Sequence, residues 1–464
     1  MRRGTVGKRF FMKVGFVSLG CPKNQMDTEV MLHEVLQAGY EITPEETEAD
    51  VVIINTCGFI ESAKKEAIDN ILDIAWLKKH AKLKAMIVTG CLAERYREDI
   101  LKEFPEVDAV LGVGSIHNIV EAIETVTRGK GKKREKYVSF EDKECVRLGG
   151  DRVLTTPEYA AYIKIAEGCD NRCAYCAIPS IRGKFRSRPM EDIIKEAKNL
   201  DSLGVRELTV VAQDITRYGL DLYGKYSLAE LLHKITEETQ IPWIRLLYCY
   251  PDKVTDELIA EIRDNDRILK YIDLPLQHIS DRMLSAMNRH GDGKTVREVV
   301  AKLRREIPGI VIRTTFIVGF PGETQEDFEE LCEFVKEARF EHMGVFTYSP
   351  EEGTPAATFP DQIDEQVKQD RMDILMKMQM HINTQQNEEK VGSTVRVLCE
   401  DYDPVSEAHF GRSAADAPEI DGKVYFRSDA RIAPGSFLDV KVREVIDYDL
   451  YGFAIGASIE NYKK

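Results

Sequence analysis

Residues 162–188 read YIKIAEGCDNRCAYCAIPSIRGKFRSR, and their order decides the central fold. An apolar run passes through Glu167 and Gly168 directly into Cys169-x-x-x-Cys173-x-x-Cys176. Thiolates are the usual ligands of iron–sulfur clusters. Three of them on one short loop leave one iron of a four-iron cube without a protein ligand, free to bind another molecule. Structural zinc asks instead for four ligands in two pairs, and no second pair lies nearby. A loop leaving the carboxyl end of a strand is also where parallel barrels build their sites.

Working outward, strands are expected at Tyr162–Ala166, Glu207–Ala212, Trp243–Tyr248, Tyr271–Leu274, Val311–Val318 and Met343–Tyr348. Helical stretches such as Met190–Leu203 and Gln325–Ala338 separate them. Six such units fall short of the eight of a full barrel and predict an incomplete (βα)6 barrel. S-adenosylmethionine (SAM) suits the open iron, which its amino and carboxylate groups can fill. The segment EGCDNRCAYCAIPSIRGKFRSR (167–188) resembles the cluster loop of the radical SAM superfamily. The resemblance implies reductive cleavage of SAM to a 5′-deoxyadenosyl radical and places Tyr175 near the adenine. It also carries Gly204 and Glu207 over to the motif that holds the SAM amino group, although only the first Gly and the Glu match. Val318–Glu323 (VGFPGE) closes the fifth strand, and Gly319 and Gly322 allow backbone to approach a ligand. The plain alternative for this motif is a tight strand-to-helix turn.

Upstream, Lys13–Leu19, Asp50–Asn55, Ala85–Thr89 and Asp108–Val113 are apolar runs followed by helical patterns such as Asp27–Ala38 and Glu61–Ala75, an α/β unit with a parallel sheet. Arg2, Arg3, Lys8 and Arg9, followed by an apolar run that ends at Gly20–Cys21, loosely suggest a secretory or lipoprotein signal. Lys13 interrupts the apolar run, so a first strand is the better reading, with Met12 a possible natural start. Cys21, Cys57 and Cys91 each follow one of the first three strands. In a parallel sheet those carboxyl ends share the edge where ligands bind. Three converging thiolates again leave one iron open; the alternative is three small buried hydrophobes. Cys145, Cys249, Cys332 and Cys399 fall on no motif and read as structural.

After a long helix, Glu365–Gln386, short strands (Thr394–Leu398, Val424–Phe426, Phe437–Val442, Gly452–Ile455) separated by turn residues predict a small antiparallel barrel. The expected divisions are a cluster domain at 13–127, a linker at 128–154, a radical SAM core at 155–386 and a terminal barrel at 387–464. The basic run 128–136 (RGKGKKREK) reads as solvated linker, with an RNA contact as the sharper alternative.

From about residue 13 onward, the chain resembles the methylthiotransferase family of radical SAM enzymes, which join a three-cysteine domain, a radical SAM core and a TRAM barrel. The resemblance implies two 4Fe–4S clusters, with Cys21, Cys57 and Cys91 holding the second, and SAM as both radical source and methyl donor. Two branches compete: the RimO type acts on the β-carbon of an aspartate in ribosomal protein S-12, and the MiaB type on a transfer RNA adenosine. Gly20–Asn24 (GCPKN), Asn55–Lys64 (NTCGFIESAK), Gln213–Gly219 (QDITRYG) and Asp447–Leu450 (DYDL) resemble the RimO type.

Charge points the same way. The whole chain carries a formal net charge of −15, and residues 391–464 hold nine Lys and Arg against thirteen Asp and Glu. An RNA-gripping barrel is expected to be basic, whereas an acidic one suits a basic protein. Asp447 and Asp449 are candidate substrate contacts, or simply a solvated turn. A two-cluster electron carrier is the third reading, disfavoured by the six-strand core with Glu207 and the VGFPGE turn, since such a carrier needs no SAM pocket. Ten cysteines and the lack of an 18-residue apolar stretch predict a cytoplasmic, reduced protein. Flavodoxin or ferredoxin is the family-level expectation for the reductant.

Overall fold

The computed structural model describes residues 12–128, 135–144 and 148–460. Cys145, the first eleven residues and most of the basic run lie outside them. The chain forms two compact units. One comprises residues up to Thr155 together with 168–170 and 176–184; the other holds 156–167, 171–175 and everything from Phe185. Cys169 and Cys176 therefore belong to the first unit and Cys173 to the second.

The first unit is built on a six-stranded, all-parallel sheet. Its strands are β1 (Lys13–Ser18), β2 (Glu41–Ile42), β3 (Val51–Thr56), β4 (Ala85–Gly90), β5 (Ala109–Leu111) and β6 (Tyr137–Ser139), in the order β2-β1-β3-β4-β5-β6. The central strands VVIINT and AMIVTG are buried at every position, as a sheet covered on both faces requires. Alternate residues serve opposite layers. Val52, Ile54, Met86 and Val88 pack against Ala67, Ile71 and Ile74 of helix Glu61–His80. Val51, Ile53, Ala85 and Ile87 pack against Met31 and Val35 of helix Pro22–Gln37 and Ile119 and Ile123 of Ile119–Thr127. Each buried Val, Ile or Met among them stabilises the fold by about 1.5–3 kcal/mol. The stretch read as a linker contributes β6, and Arg152 within it pairs with the buried Glu29 of helix Pro22–Gln37.

The second unit begins with β7 (Ala160–Lys164) and a small antiparallel pair, β8 (Ala166–Glu167) and β9 (Arg186–Ser187). Then follow β10 (Glu207–Val211), β11 (Trp243–Leu246), β12 (Ile268–Asp273), β13 (Val311–Val318) and β14 (His342–Thr347). They form a parallel six-stranded sheet in the order β14-β13-β12-β11-β10-β7, and the sheet does not close, as six units predict. Helix Glu365–Glu388 packs on β14 and on helix Gln325–Ala338. It leads to β15 (Thr394–Asp403), β16 (Ala408–Ser413), β17 (Val424–Arg427), β18 (Phe437–Ile446) and β19 (Asp449–Ala454), a closed five-stranded barrel. Four of its ladders are antiparallel and β17 runs parallel to β19. Cys399 lines its interior beside Val397, Phe426 and Leu438, and Cys249 is also buried. Among the described residues no helix is long and apolar enough to cross a membrane.

Candidate active site

The first unit gathers Cys21, Cys57 and Cys91 at the carboxyl edge of β1, β3 and β4. The glycines beside them record how tightly those strand ends close. A Cβ on Gly20 would lie 2.7 Å from the Cys57 Cβ and 3.0 Å from its Sγ. One on Gly58 would lie 2.8 Å from backbone atoms of Leu92. Gly90, at φ +92°, would place its Cβ 2.3 Å from Asn55 Oδ1 and 2.5 Å from the Thr56 carbonyl. Side chains lash the same ends together. Asn24 donates to the Leu19 carbonyl (2.7 Å), Asn55 donates to the Asn24 carbonyl (2.8 Å), and the Thr56 hydroxyl donates to the Thr89 carbonyl (2.5 Å). Gly90→Ala is therefore expected to cost about 2–4 kcal/mol of stability through backbone strain and overlap. Urea unfolding and the iron content after reconstitution both read this loss.

Each of the three thiols lies within the electrostatic reach of the others. Burial works against ionising Cys21, but Lys23, Arg182 and the N–H groups of Asn24 and Lys23 outweigh it and lower its pKa. Burial pushes Cys57 up and Cys91 up to about 12. A thiolate at Cys91 therefore needs positive charge beside it. Arg182, only 2% exposed, stands there, with Nη2 3.6 Å from Cys91 Sγ. Among the described residues no three His, Cys, Asp or Glu side chains close on a single ion. An all-sulfur donor set drawn together by a pinched sheet edge fits an iron–sulfur cluster.

The second cysteine loop is closed at its base. Gly168 has φ +72°, and a Cβ there would lie 2.0 Å from the Lys184 carbonyl; the Cys169 N–H donates to the Gly183 carbonyl at 3.1 Å. Within the second unit, Arg289 hydrogen-bonds the Cys173 sulfur, donates to the Pro275 carbonyl at 2.7 Å and stacks over Tyr250. Asn171 donates to Asp214 at 2.9 Å and accepts from Lys253 at 3.1 Å. Asn171 and Cys173 are thus tied to residues just past the carboxyl ends of β10, β11 and β12. Tyr175 is half-buried against Met283, Phe320 and Tyr348. Non-glycine residues with positive φ mark the same edge: Arg172 (+49°), Tyr248 (+67°) and Gln277 (+71°). Strain of this kind collects at functional sites.

Four other sequence expectations change. Glu207 opens β10 and pairs in register with Ala160, the start of β7, whereas the cysteine loop follows the other end of β7. Its carboxylate is fully buried, held by Arg245 Nε at 2.7 Å and Arg412 Nη2 at 2.5 Å. Burial opposes the charge, but the two guanidiniums overcome it and bring the pKa to about 2. Glu207 is a structural anion and is not placed to hold the SAM amino group. Gly204, at φ +90°, ends helix Met190–Ser202 at the same remote end. Gly319 needs no ligand to explain it, because a Cβ would lie 2.2 Å from Lys368 Cγ. Gly322, at φ +78°, belongs to the same turn, which the Glu323 carboxylate closes by accepting from the Gly319 and Phe320 N–H groups. An electron carrier remains disfavoured by the six-stranded core, while Glu207 and the VGFPGE turn no longer count against it.

Asp447 and Asp449 sit on the β18–β19 hairpin. Asp447 is exposed, and Asp449 accepts from the Lys423 N–H at 2.7 Å. With Asp416, Asp421, Arg313 and His342 they line a cleft of about 980 Å³ at the amino ends of β13 and β14. The eight residues of β13 separate this cleft from the carboxyl edge, a span of roughly 25 Å. The site residues that sequence reasoning missed are Arg182, Arg289, Asp214 and Asn171. All but Arg289 lie inside segments already quoted, where a charged or amide residue next to a cysteine loop or strand end was the available signal.

Comparison with known proteins completes the picture. Residues 13–112 match the Uncharacterized protein family UPF0004, 163–335 the Radical SAM superfamily and 391–455 the TRAM domain. A solved radical SAM methyltransferase, TsrM from Kitasatospora setae, shares the fold with a TM-score of 0.54 at 15% identity, over 83% of this chain and 78% of that one. The ribosomal protein uS12 methylthiotransferase RimO of Desulforamulus reducens is 51% identical over 95% of this chain and 98% of its own. That of Thermoanaerobacter sp. is 50% identical over 95% and 99%. With half its residues identical to these relatives over nearly the full length of both, the chain belongs to the RimO family of ribosomal protein uS12 methylthiotransferases.

Proposed function

We infer that this protein replaces a hydrogen on the β-carbon of an aspartate in ribosomal protein uS12 with a methylthio group. The observation that carries this reading is a three-cysteine set following strand ends in each of two parallel sheets, in a chain of this family. Cys169, Cys173 and Cys176 would hold one 4Fe–4S cluster, and Cys21, Cys57 and Cys91 the other. When bound, the clusters and SAM supply the 5′-deoxyadenosyl radical, the sulfur and the methyl group. The residues of the chain do the rest. Asn171, Asp214 and Lys253 fix the loop of the first set, Arg289 presents a positive charge to Cys173, and Tyr175 offers an aromatic face to the adenine. Gln213, Tyr248 and Gln277, at the strained carboxyl edge, are better placed than Glu207 to meet the amino acid end of SAM.

The acidic barrel favours a basic ribosomal protein over transfer RNA. Asp447 and Asp449, if they touch the substrate, do so as docking contacts removed from the chemistry. Electrons for SAM cleavage come from a small reductant such as flavodoxin or ferredoxin, and the reaction takes place in the cytoplasm with the ribosome. Mass spectrometry of a strain lacking the gene tests this reading. Loss of the methylthio group from uS12, with transfer RNA modification intact, is expected. A methylthiolated uS12 beside unmodified transfer RNA would overturn it.

A further inference from the structure

Arg182 carries a charge that nothing in the cysteine motifs requires. It ends the short helix Ile178–Arg182, just beyond Cys176, yet its guanidinium points into the Cys21, Cys57 and Cys91 site. Nη2 lies 3.6 Å from Cys91 Sγ, 3.3 Å from Asn24 Oδ1 and 3.0 Å from Asp27 Oδ2. Arg182, Asn24 and Asp27 are all buried, so water screens this charge poorly. Ala177 and Ile181 pack against Cys91 and fix the helix that presents it. Lys23 is the second buried cation near the trio, adjacent to Cys21 in the chain, and Asp27 is the anion that partly offsets Arg182.

A cluster bound by three thiolates is anionic, and reduction adds one more negative charge. A fixed cation against a ligating sulfur favours the reduced form, because hydrogen bonds and net charge at the sulfurs set the potential. We propose that Arg182 is a positioning residue that holds up the reduction potential of the cluster on Cys21, Cys57 and Cys91, with Asp27 acting against it. The segment that supplies Cys176 to one cluster thereby tunes the other. This rests on the reading of the N-terminal trio as cluster ligands.

The test uses the full chain carrying Ala at Cys169, Cys173 and Cys176, so that only the N-terminal cluster contributes. Redox-poised electron paramagnetic resonance then compares Arg182→Gln, Arg182→Lys and Asp27→Asn with this parent. Arg182→Gln is expected to shift the reduction equilibrium at least tenfold toward the oxidised form, about 59 mV for one electron. Arg182→Lys keeps most of the parent potential, and Asp27→Asn moves it the opposite way. Asp27→Asn, nearly isosteric, decides the matter alone if Arg182→Gln retains no iron. Iron-loaded variants at the parent potential, or a downward shift in Asp27→Asn, would overturn the proposal. A parent without iron would instead overturn the reading of the trio.

Discussion

Alanine at Cys169, Cys173 and Cys176 together is expected to abolish 5′-deoxyadenosine formation and uS12 modification while about half of the iron remains. The loop supplies three thiolates and nothing that replaces them. Asn171, Asp214 and Lys253 hold it in place but offer no sulfur. The sulfurs of Cys21, Cys57 and Cys91 lie at the carboxyl edge of the other sheet, pinned by Asn24, Asn55 and Thr56, and the substitutions leave that network untouched. Iron and acid-labile sulfide per chain, measured with the reductive cleavage of SAM, check both halves. Iron falling to zero would show that the N-terminal trio binds no cluster.

Glu207→Gln is expected to unfold the second unit more readily by about 3–5 kcal/mol, with SAM cleavage per folded molecule unchanged. Removing one partner of a buried ionic group leaves the others uncompensated, which is the costly way to break it. Here two guanidiniums, Arg245 and Arg412, lose their common carboxylate. Arg412 keeps Glu400 at 2.6 Å, and Arg245 keeps the Ala414 carbonyl at 3.0 Å, so the loss stays at the lower end of that range. The depressed pKa gives the same size, of order 3 kcal/mol. Its sign sets the pH dependence. The folded carboxyl titrates near 2 and the unfolded one near 4.5. Its contribution is complete above pH 4.5 and is lost as pH falls toward 2, so the gap between wild type and variant narrows over that window. Urea unfolding at several pH values reads it. A variant of full stability that fails to bind SAM would restore Glu207 to the SAM site.

The same residue shows where sequence reading stops. Gly204-x-x-Glu207 matches a SAM motif in its letters, but the match begins a strand rather than ending one. The residue that explains it, Arg412, lies 205 positions away. The cysteines were legible for two different reasons. Cys169, Cys173 and Cys176 are local, so their spacing alone puts them on one short loop. Cys21, Cys57 and Cys91 are far apart, yet strands such as VVIINT and AMIVTG are so evenly apolar that their carboxyl ends could be located, and the parallel sheet does the rest. Elements without an apolar run were missed. β2 and β6 are short edge strands, and β16 (AHFGRS) breaks its apolar pattern with His409, Gly411 and Arg412. Gly411 is required there, since a Cβ would lie 2.1 Å from the Leu398 carbonyl. Arg182 was in plain view after Cys176, but nothing local told that its side chain reaches Cys91.

The most direct measurement is the mass of uS12 after incubation with the reconstituted enzyme, SAM and a low-potential reductant. The expected result is one methylthio group in place of one hydrogen on a single aspartate, absent when either cysteine set is replaced by alanine. Unmodified uS12, from an enzyme that cleaves SAM and methylthiolates a transfer RNA adenosine, would contradict the account.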